Sequence, residues 1–180
     1  MLDPTVGYLI DLGGAVLLAG AALHKFRRLD EFAASFAAYR VMSASWAGRS
    51  AWAVPVAELA IAAGLAAAGL HRTASLAAAA LLGAYAGAIA LNLARGRREL
   101  DCGCAPAGRR RPIGAWMIWR NLALAALLVL SSMPWSPRAL QPVDALTLAG
   151  GLAAAAFLYL ALDALAGEIA PKGAAMKGAP

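Results

Sequence analysis

Long apolar runs separated by short polar connections dominate the chain. Each run approaches the roughly 20 apolar residues that an α-helix needs to cross the hydrocarbon core of a bilayer. The expected spans cover residues 6–23, 52–70, 74–94, 113–133 and 143–165. This pattern predicts an all-α membrane protein, a bundle of about five transmembrane helices in which four form a core and one is added.

The connection after the first span has an amphipathic pattern. Apolar or aromatic residues recur at helical spacing, at positions 29, 32, 36 and 39. This spacing predicts a short helix over 29–42 in the membrane interface, with an ordinary polar loop as the alternative. Residues 168–180 are small and polar, which predicts a disordered tail after one transmembrane domain over 1–167.

Composition supports a membrane environment and excludes one class of function. Hydrophobic residues make up 62% of the chain and charged residues 14%, whereas soluble domains average about 25% charged residues. The net charge of +6 does not indicate nucleic-acid binding, because the Lys and Arg residues cluster between apolar runs, where they would contact lipid headgroups. Asp11 inside the first run favours a retained helix over a signal peptide.

The distribution of positive charge predicts an orientation. We call the face at which the first span begins face A, and the opposite face, at which that span ends, face B. Thirteen Lys and Arg residues fall in the face B connections and the C-terminal tail, against only Arg72 and Arg138 on face A. By the positive-inside rule, face B lies in the cytoplasm of a bacterial plasma (inner) membrane.

The two cysteines of the chain, Cys102 and Cys104, lie in the connection between the third and fourth spans on face B. A disulfide needs Cα atoms within roughly 4.4 to 6.8 Å, and the freely bending Gly103 between them would allow this. Such a small ring is strained and therefore labile. Six nearby arginines favour thiolates, which Asp101 opposes locally. The alternative is two inert small residues in a loop.

Ionisable side chains inside the bilayer are costly and usually have a partner or a task. Glu58 and Arg120 lie at nearly equal depth, roughly 9 to 11 Å below face B, so we expect them to pair. Other polar residues of the same layer are His24, Asn92, Asn121 and Asp163. The layer is interpreted as a structural ion pair between helices, as the lining of a site beneath the thiols for a quinone headgroup or a substrate loop, or as both.

Three further features have simpler interpretations. The basic cluster His24-Lys25-Phe26-Arg27-Arg28 is interpreted as a headgroup anchor. Asp11 is interpreted as marking the edge of the first span. Gly83 and Gly87, four residues apart, favour close helix packing within the chain, with a homodimer contact as the alternative. The oligomeric state is left open.

Several short motifs resemble those of the MauE family of methylamine utilisation membrane proteins, which belongs to a wider DoxX-like group. The motifs are Pro55-Val-Ala-Glu58-Leu-Ala-Ile-Ala-Ala-Gly64, Arg95-Gly96, Asp101-Cys-Gly-Cys104, Arg120-Asn121 and His24-Lys25-Phe26. The resemblance implies a role in forming disulfides in the methylamine dehydrogenase small subunit, together with a thioredoxin-like partner. It also implies that Cys102 and Cys104 are the redox pair, with Glu58 and Arg120 as intramembrane polar residues. After Cys104 the family pattern leads us to expect an apolar or aromatic residue, whereas this sequence continues with Ala-Pro-Ala-Gly and three arginines. This departure leaves the partner and the substrate open.

The first functional hypothesis is therefore a thiol-disulfide relay between a thioredoxin-like protein and a redox-enzyme client. The alternatives are a carrier for a soft metal ion such as Cu(I), bound by the paired thiolates with His24 as an extra ligand, and a non-catalytic assembly factor. Maturation of an exported enzyme would need the thiols outside the cell, whereas the charge count places them inside. A cytoplasmic thiol pair would instead relay reducing equivalents from a soluble thioredoxin. The client and the direction of electron flow are left open.

Overall fold

The computed structural model describes residues 1–41, 43–67, 69–100 and 112–169. Its seven helices are α1 (Pro4–Arg27), α2 (Leu29–Ala38), α3 (Ala44–Ser50), α4 (Ala53–Ala66), α5 (His71–Ala94), α6 (Ala115–Ser131) and α7 (Pro142–Ile169). Three segments are long and apolar enough to cross a membrane: α1, α5 and residues 142–165 of α7. The prediction of an all-α membrane protein is confirmed.

Four helices form the core, and a fifth packs beside them. α1 packs against α4 and α6, and α5 packs against the same two helices, so that α4 and α6 occupy opposite corners of the bundle. α7 packs mainly against α1, and its apolar residues are largely exposed, as for a helix that faces lipid. This arrangement matches the expected four-helix core with one added helix.

One stripe of α1 faces the inside of the bundle. Its buried positions recur at alternating spacings of four and three residues, which keeps one stripe of the helix inward. The stripe consists of Asp11, Ala15, Leu18, Ala22 and Lys25. A carboxylate and an ammonium therefore lie on the same buried stripe as three apolar residues.

Close helix packing uses other glycines than the spacing suggests. A Cβ atom on Gly83 or Gly87 would meet nothing within 4 Å, so the prediction that this pair serves intrachain packing is wrong. A Cβ on Gly64 would lie 3.0 Å from the Cβ of Ala74, and one on Gly14 would lie 3.2 Å from Leu128. These two glycines lie where core helices approach each other, whereas Gly83 and Gly87 face outward on α5.

The second expected span is shorter than predicted. α4 has 14 residues, which at about 1.5 Å per residue gives about 21 Å, less than the hydrocarbon thickness. The chain leaves the helix at Ala67, which is extended, and turns at Gly69, whose φ is +90°. Because glycine adopts positive φ at no steric cost, the turn forms here. Residues 71–73, which the expected spans leave as the connection between them, instead belong to the start of α5.

The segment between the first two spans contains two helices. The predicted interfacial helix over 29–42 corresponds to α2, which ends at Ala38, and the further helix α3 was not predicted. At the other end of the chain, α7 continues to Ile169, so residues 168 and 169 are helical and do not belong to a disordered tail. Residues 170–180 lie outside the described residues.

Candidate functional site

Glu58 pairs with Lys25 of α1 and not with Arg120, so the predicted pair is wrong. The Lys25 Nζ atom lies 2.5 Å from Glu58 Oε1, and the Tyr85 hydroxyl donates to the same oxygen at 2.8 Å. Arg120 instead lies beside α7, with its Nη1 2.9 Å from Asp163 Oδ1. The reason is the order of the helices, since α4 and α6 occupy opposite corners of the core.

The Lys25 and Glu58 pair is almost completely removed from solvent. The side chains are 3% and 0% exposed. The rings of Phe32 and Tyr85 also lie near the ammonium, with centroids 5.4 and 5.5 Å from Nζ, so two aromatic faces add cation–π attraction. The second carboxylate oxygen, Glu58 Oε2, has no hydrogen-bond partner among the residues that the structure describes.

Lys25 belongs to this buried cluster, although the sequence did not predict it there. It stands in a basic cluster at the end of an apolar run, which is typical of a headgroup anchor. Its position seven residues after Leu18 and three after Ala22, on the buried stripe of α1, distinguishes it from its neighbours. Arg27 and Arg28 are exposed, as an anchor requires.

A cavity of about 90 Å³ lies next to the ion pair. The interfacial helix α2 contributes Phe32, Ser35 and Phe36 to its wall, and Tyr39 follows directly. The remaining lining residues are Lys25, Val41, Val54, Tyr85, Ala88, Ile89 and Asn121. The cavity is therefore mainly apolar and aromatic, with an ammonium and an amide as its buried polar groups.

Asn92 joins three parts of the molecule at face B. Its Nδ2 donates to the carbonyl oxygens of Tyr39 and Ala88, both at 3.0 Å, and its Oδ1 accepts from Arg97 Nη1 at 3.0 Å. The side chain is 0% exposed. Asn92 thus connects the end of α2, the end of α5 and the start of the connection that carries the cysteines.

The two ends of the cysteine-bearing segment are held together. The Ile113 N–H donates to the Leu100 carbonyl oxygen at 3.0 Å, so the chain leaves and re-enters the bundle at one point on face B. Cys102, Cys104 and Asp101 themselves lie outside the described residues.

The other predicted residues are divided between the cavity and its surroundings. Asn121 lines the cavity and is 5% exposed. His24 is half-buried at the end of α1 and does not line the cavity, and Arg120 of α6 pairs with Asp163 of α7. The structure therefore brings Glu58 and Asn121 near one cavity, with Asn92 close by, but places Arg120 in a separate ion pair.

A second buried polar cluster lies toward face A. Asp11 is 1% exposed, and its Oδ1 accepts hydrogen bonds from Ser75 at 2.9 Å and from Ser131 at 2.6 Å. The interpretation of Asp11 as the edge of a span is wrong, because it links α1, α5 and α6 inside the core.

A model of the family described as "Methylamine utilisation protein MauE" matches residues 4–136, which include α1 to α6. The chain belongs to the MauE family. It is 35% identical to the methylamine utilization protein MauE of Paracoccus denitrificans over 93% of this chain and 90% of that protein. It is also 35% identical to the protein of the same name from Methylophilus methylotrophus, over 94% and 90% of the two chains. No solved structure matches the chain.

In this MauE chain, a third polar cluster closes face A. Arg138 binds Asp3 through Nε at 2.8 Å and Asp144 through Nη1 at 2.7 Å, and it thereby joins the start of α1 to the start of α7. The hydrogen bond from the Arg138 guanidinium holds the pKa of Asp3 at about 2, below its usual value. The cluster lies at the opposite end of α1 from Lys25.

Proposed function

We propose that this MauE protein is a membrane thiol-disulfide redox protein in which Cys102 and Cys104 exchange disulfides with a thioredoxin-like partner during maturation of a redox enzyme. The names of its relatives connect them to methylamine utilisation, and methylamine dehydrogenase is the client that this connection favours. The observation that carries the proposal is the hydrogen bond between Ile113 and Leu100. It holds both ends of the only cysteine-bearing segment at one point on face B.

The proposed chemistry is thiolate exchange. One cysteine thiolate attacks a disulfide sulfur of the partner, which breaks the partner's S–S bond and forms a mixed disulfide. The second thiolate then attacks the mixed disulfide, joins Cys102 to Cys104 and releases the partner as a dithiol. The partner gains two electrons and this chain loses them, and the reverse sequence transfers them back.

The protein surface around the segment suits this chemistry. Arg95, Arg97 and Arg98 precede the cysteines, and Arg97 is held in place by Asn92. Positive charge near a thiol stabilises its thiolate, which is the reactive form. The buried polar layer beneath face B lies at the same end of the bundle. It contributes no thiol of its own, since Cys102 and Cys104 are the two cysteines of the chain.

The proposal is tested by trapping the mixed disulfide. In membranes that contain a thioredoxin-like partner, we expect one of the two variants Cys102→Ser and Cys104→Ser to accumulate a disulfide-linked adduct, because the resolving thiol is absent. The adduct is detected by non-reducing electrophoresis and disappears on reduction. The Cys102→Ser/Cys104→Ser double variant must show no adduct. Thr147→Ala, which removes an exposed hydroxyl near the face A end of α7, is the control and should behave like the parent. Full maturation of the client in the double variant would contradict the proposal.

We further propose that face B is cytoplasmic, because of the strong excess of Lys and Arg there. A membrane-impermeant maleimide should then label Cys102 and Cys104 in inverted vesicles and leave them unlabelled in intact spheroplasts. A cysteine introduced at Ala139 on face A, in a chain that lacks the native pair, should show the opposite pattern. Labelling of the native pair in intact spheroplasts would refute this orientation and would favour a role in oxidising exported proteins directly.

A further inference from the structure

Two buried polar side chains at the cavity have unused hydrogen-bonding capacity. An ammonium group has three N–H donors, and Lys25 uses one of them, toward Glu58, in the part of the chain that the structure describes. The Asn121 side-chain amide makes no hydrogen bond to any described residue, although it is only 5% exposed. Buried polar groups are normally satisfied by protein, water or a ligand, so these two indicate that the cavity is built to receive a polar atom.

The charges around the cavity indicate whether the polar atom it receives is charged or neutral. Glu58 already neutralises the Lys25 ammonium at 2.5 Å, and its second oxygen, Oε2, also lies buried. An anion such as a phosphate or a fatty-acid carboxylate would therefore meet no net positive charge and would be repelled by Glu58. A neutral oxygen that accepts a hydrogen bond, such as a carbonyl, would instead be matched by the free donors.

The rest of the lining defines the body of the ligand. Phe32, Phe36 and Ile89 present apolar and aromatic surface to the cavity, which suits a flat ring. The cavity volume of about 90 Å³ is below the roughly 150 Å³ that encloses a benzene molecule. The cavity therefore has room for one oxygen-bearing edge of a ring, while the remainder of the molecule extends toward the surrounding lipid.

We propose that this cavity binds the carbonyl edge of a membrane quinone, with Lys25 Nζ and the Asn121 amide as hydrogen-bond donors. As a binding site, the cavity is independent of the cysteines. The role of the quinone as electron acceptor rests on the proposed function. In that role, the Cys102 and Cys104 thiols lose two electrons and two protons as their S–S bond forms, and the quinone takes up these two electrons and two protons to become the quinol. The two donors lie at the carbonyl and stabilise the negative charge that develops there on reduction.

The test is binding of decylubiquinone, a short-chain quinone, to the purified protein in detergent micelles, measured by calorimetry and by thermal shift. We expect saturable binding, and an affinity about tenfold lower for Asn121→Leu, which removes one hydrogen-bond donor. Because this amide has no described partner, the substitution should leave the fold intact. Gln141→Leu, which removes an exposed amide beyond face A, is the matched control and should bind like the parent.

Three comparisons make the result decisive. Decylbenzene, which has the tail and a ring without oxygens, should bind much more weakly, and equal binding would overturn the proposal. Tighter binding of decanoate than of decylubiquinone would assign the cavity to anions and overturn it as well. The Cys102→Ser/Cys104→Ser double variant should still bind the quinone, because the cavity contains neither cysteine. If the single cysteine variants trap no partner while the protein still binds quinone, only the thiol relay is refuted. Loss of Asn121-dependent binding with trapping retained refutes only the quinone site.

Discussion

Replacing Lys25 by methionine should lower the free energy of unfolding by about 3–5 kcal/mol, because it leaves the Glu58 carboxylate buried without its cation. Glu58 is 0% exposed, and only the Tyr85 hydroxyl would still donate to it among the described residues. A charge without a partner costs far more inside a protein than in water. The loss is measured by reversible unfolding of the purified protein in mixed detergent micelles.

The matched control is Arg28→Met, three residues further along the chain. Arg28 also pairs with a glutamate, Glu31, at 3.1 Å, but the two side chains are 42% and 69% exposed. Exposed pairs contribute about 0–1 kcal/mol, so this substitution should change stability little. If Lys25→Met were as mild as Arg28→Met, then Lys25 would be the headgroup anchor that the basic cluster suggests, and the buried pair would be refuted.

A double substitution separates the cost of the broken pair from the loss of packing. Lys25→Met with Glu58→Gln removes both charges and keeps an oxygen that can accept from Tyr85. Replacing both members of a buried ion pair by neutral groups is often close to neutral in stability, so we expect most of the loss to be recovered. A double variant as unstable as Lys25→Met alone would show that the lysine stabilises the core through its aliphatic chain and not through its charge.

The sequence predicts the polar layer beneath face B but not the partners within it. Depth follows from counting residues along each helix, and Glu58, Asn92 and Asn121, which this count places in one layer, are all buried. A partner depends on which helices are neighbours, and the hydrophobic pattern of one helix does not contain that information. Equal depth therefore predicted a pair between Glu58 and Arg120, but their helices occupy opposite corners of the core.

The buried charges of α1 were predictable in part. Asp11 and Lys25 both fall on the stripe that Ala15, Leu18 and Ala22 define, with spacings of four and three residues. In an alanine-rich helix this stripe is hard to recognise, because alanine is equally common on the other faces and gives no contrast. The charged residues themselves were the best indication of the inward face, since a charge inside a membrane is tolerated where other helices cover it.

The glycines illustrate the same limit. Two glycines four residues apart form a shallow groove on the surface of their helix. The spacing does not indicate which helix packs into that groove. Gly83 and Gly87 fulfil the motif and pack against nothing within the described chain. Gly7 fulfils no motif, yet of the glycines that the structure describes it leaves the least room for an added Cβ atom. Close approach depends on the position of the neighbouring side chain, here Trp135, which comes from a connection far along the sequence.

Gly7→Ala should destabilise the protein by about 1–3 kcal/mol or more, as an overpacked core does. The added Cβ would lie 2.3 Å from Trp135 Cε2, which no relaxed structure permits. The indole ring has little freedom to move, because it stacks on His71 at 4.2 Å, meets Tyr8 edge-on at 4.8 Å and donates from Nε1 to the Ser131 carbonyl at 2.9 Å.

Gly83→Ala is the matched control, since it makes the same chemical change inside a helix with open space around it. There the alanine should stabilise α5 by about 0.5–1 kcal/mol through its higher helix propensity. We expect the change in the free energy of unfolding to have opposite signs for the two variants, measured in the same micelles. This result would confirm that close packing within the chain occurs at Gly7 and not at Gly83. A loss of stability at Gly83 that depends on protein concentration would contradict this and would show that a second copy of the chain covers the Gly83 and Gly87 face of α5.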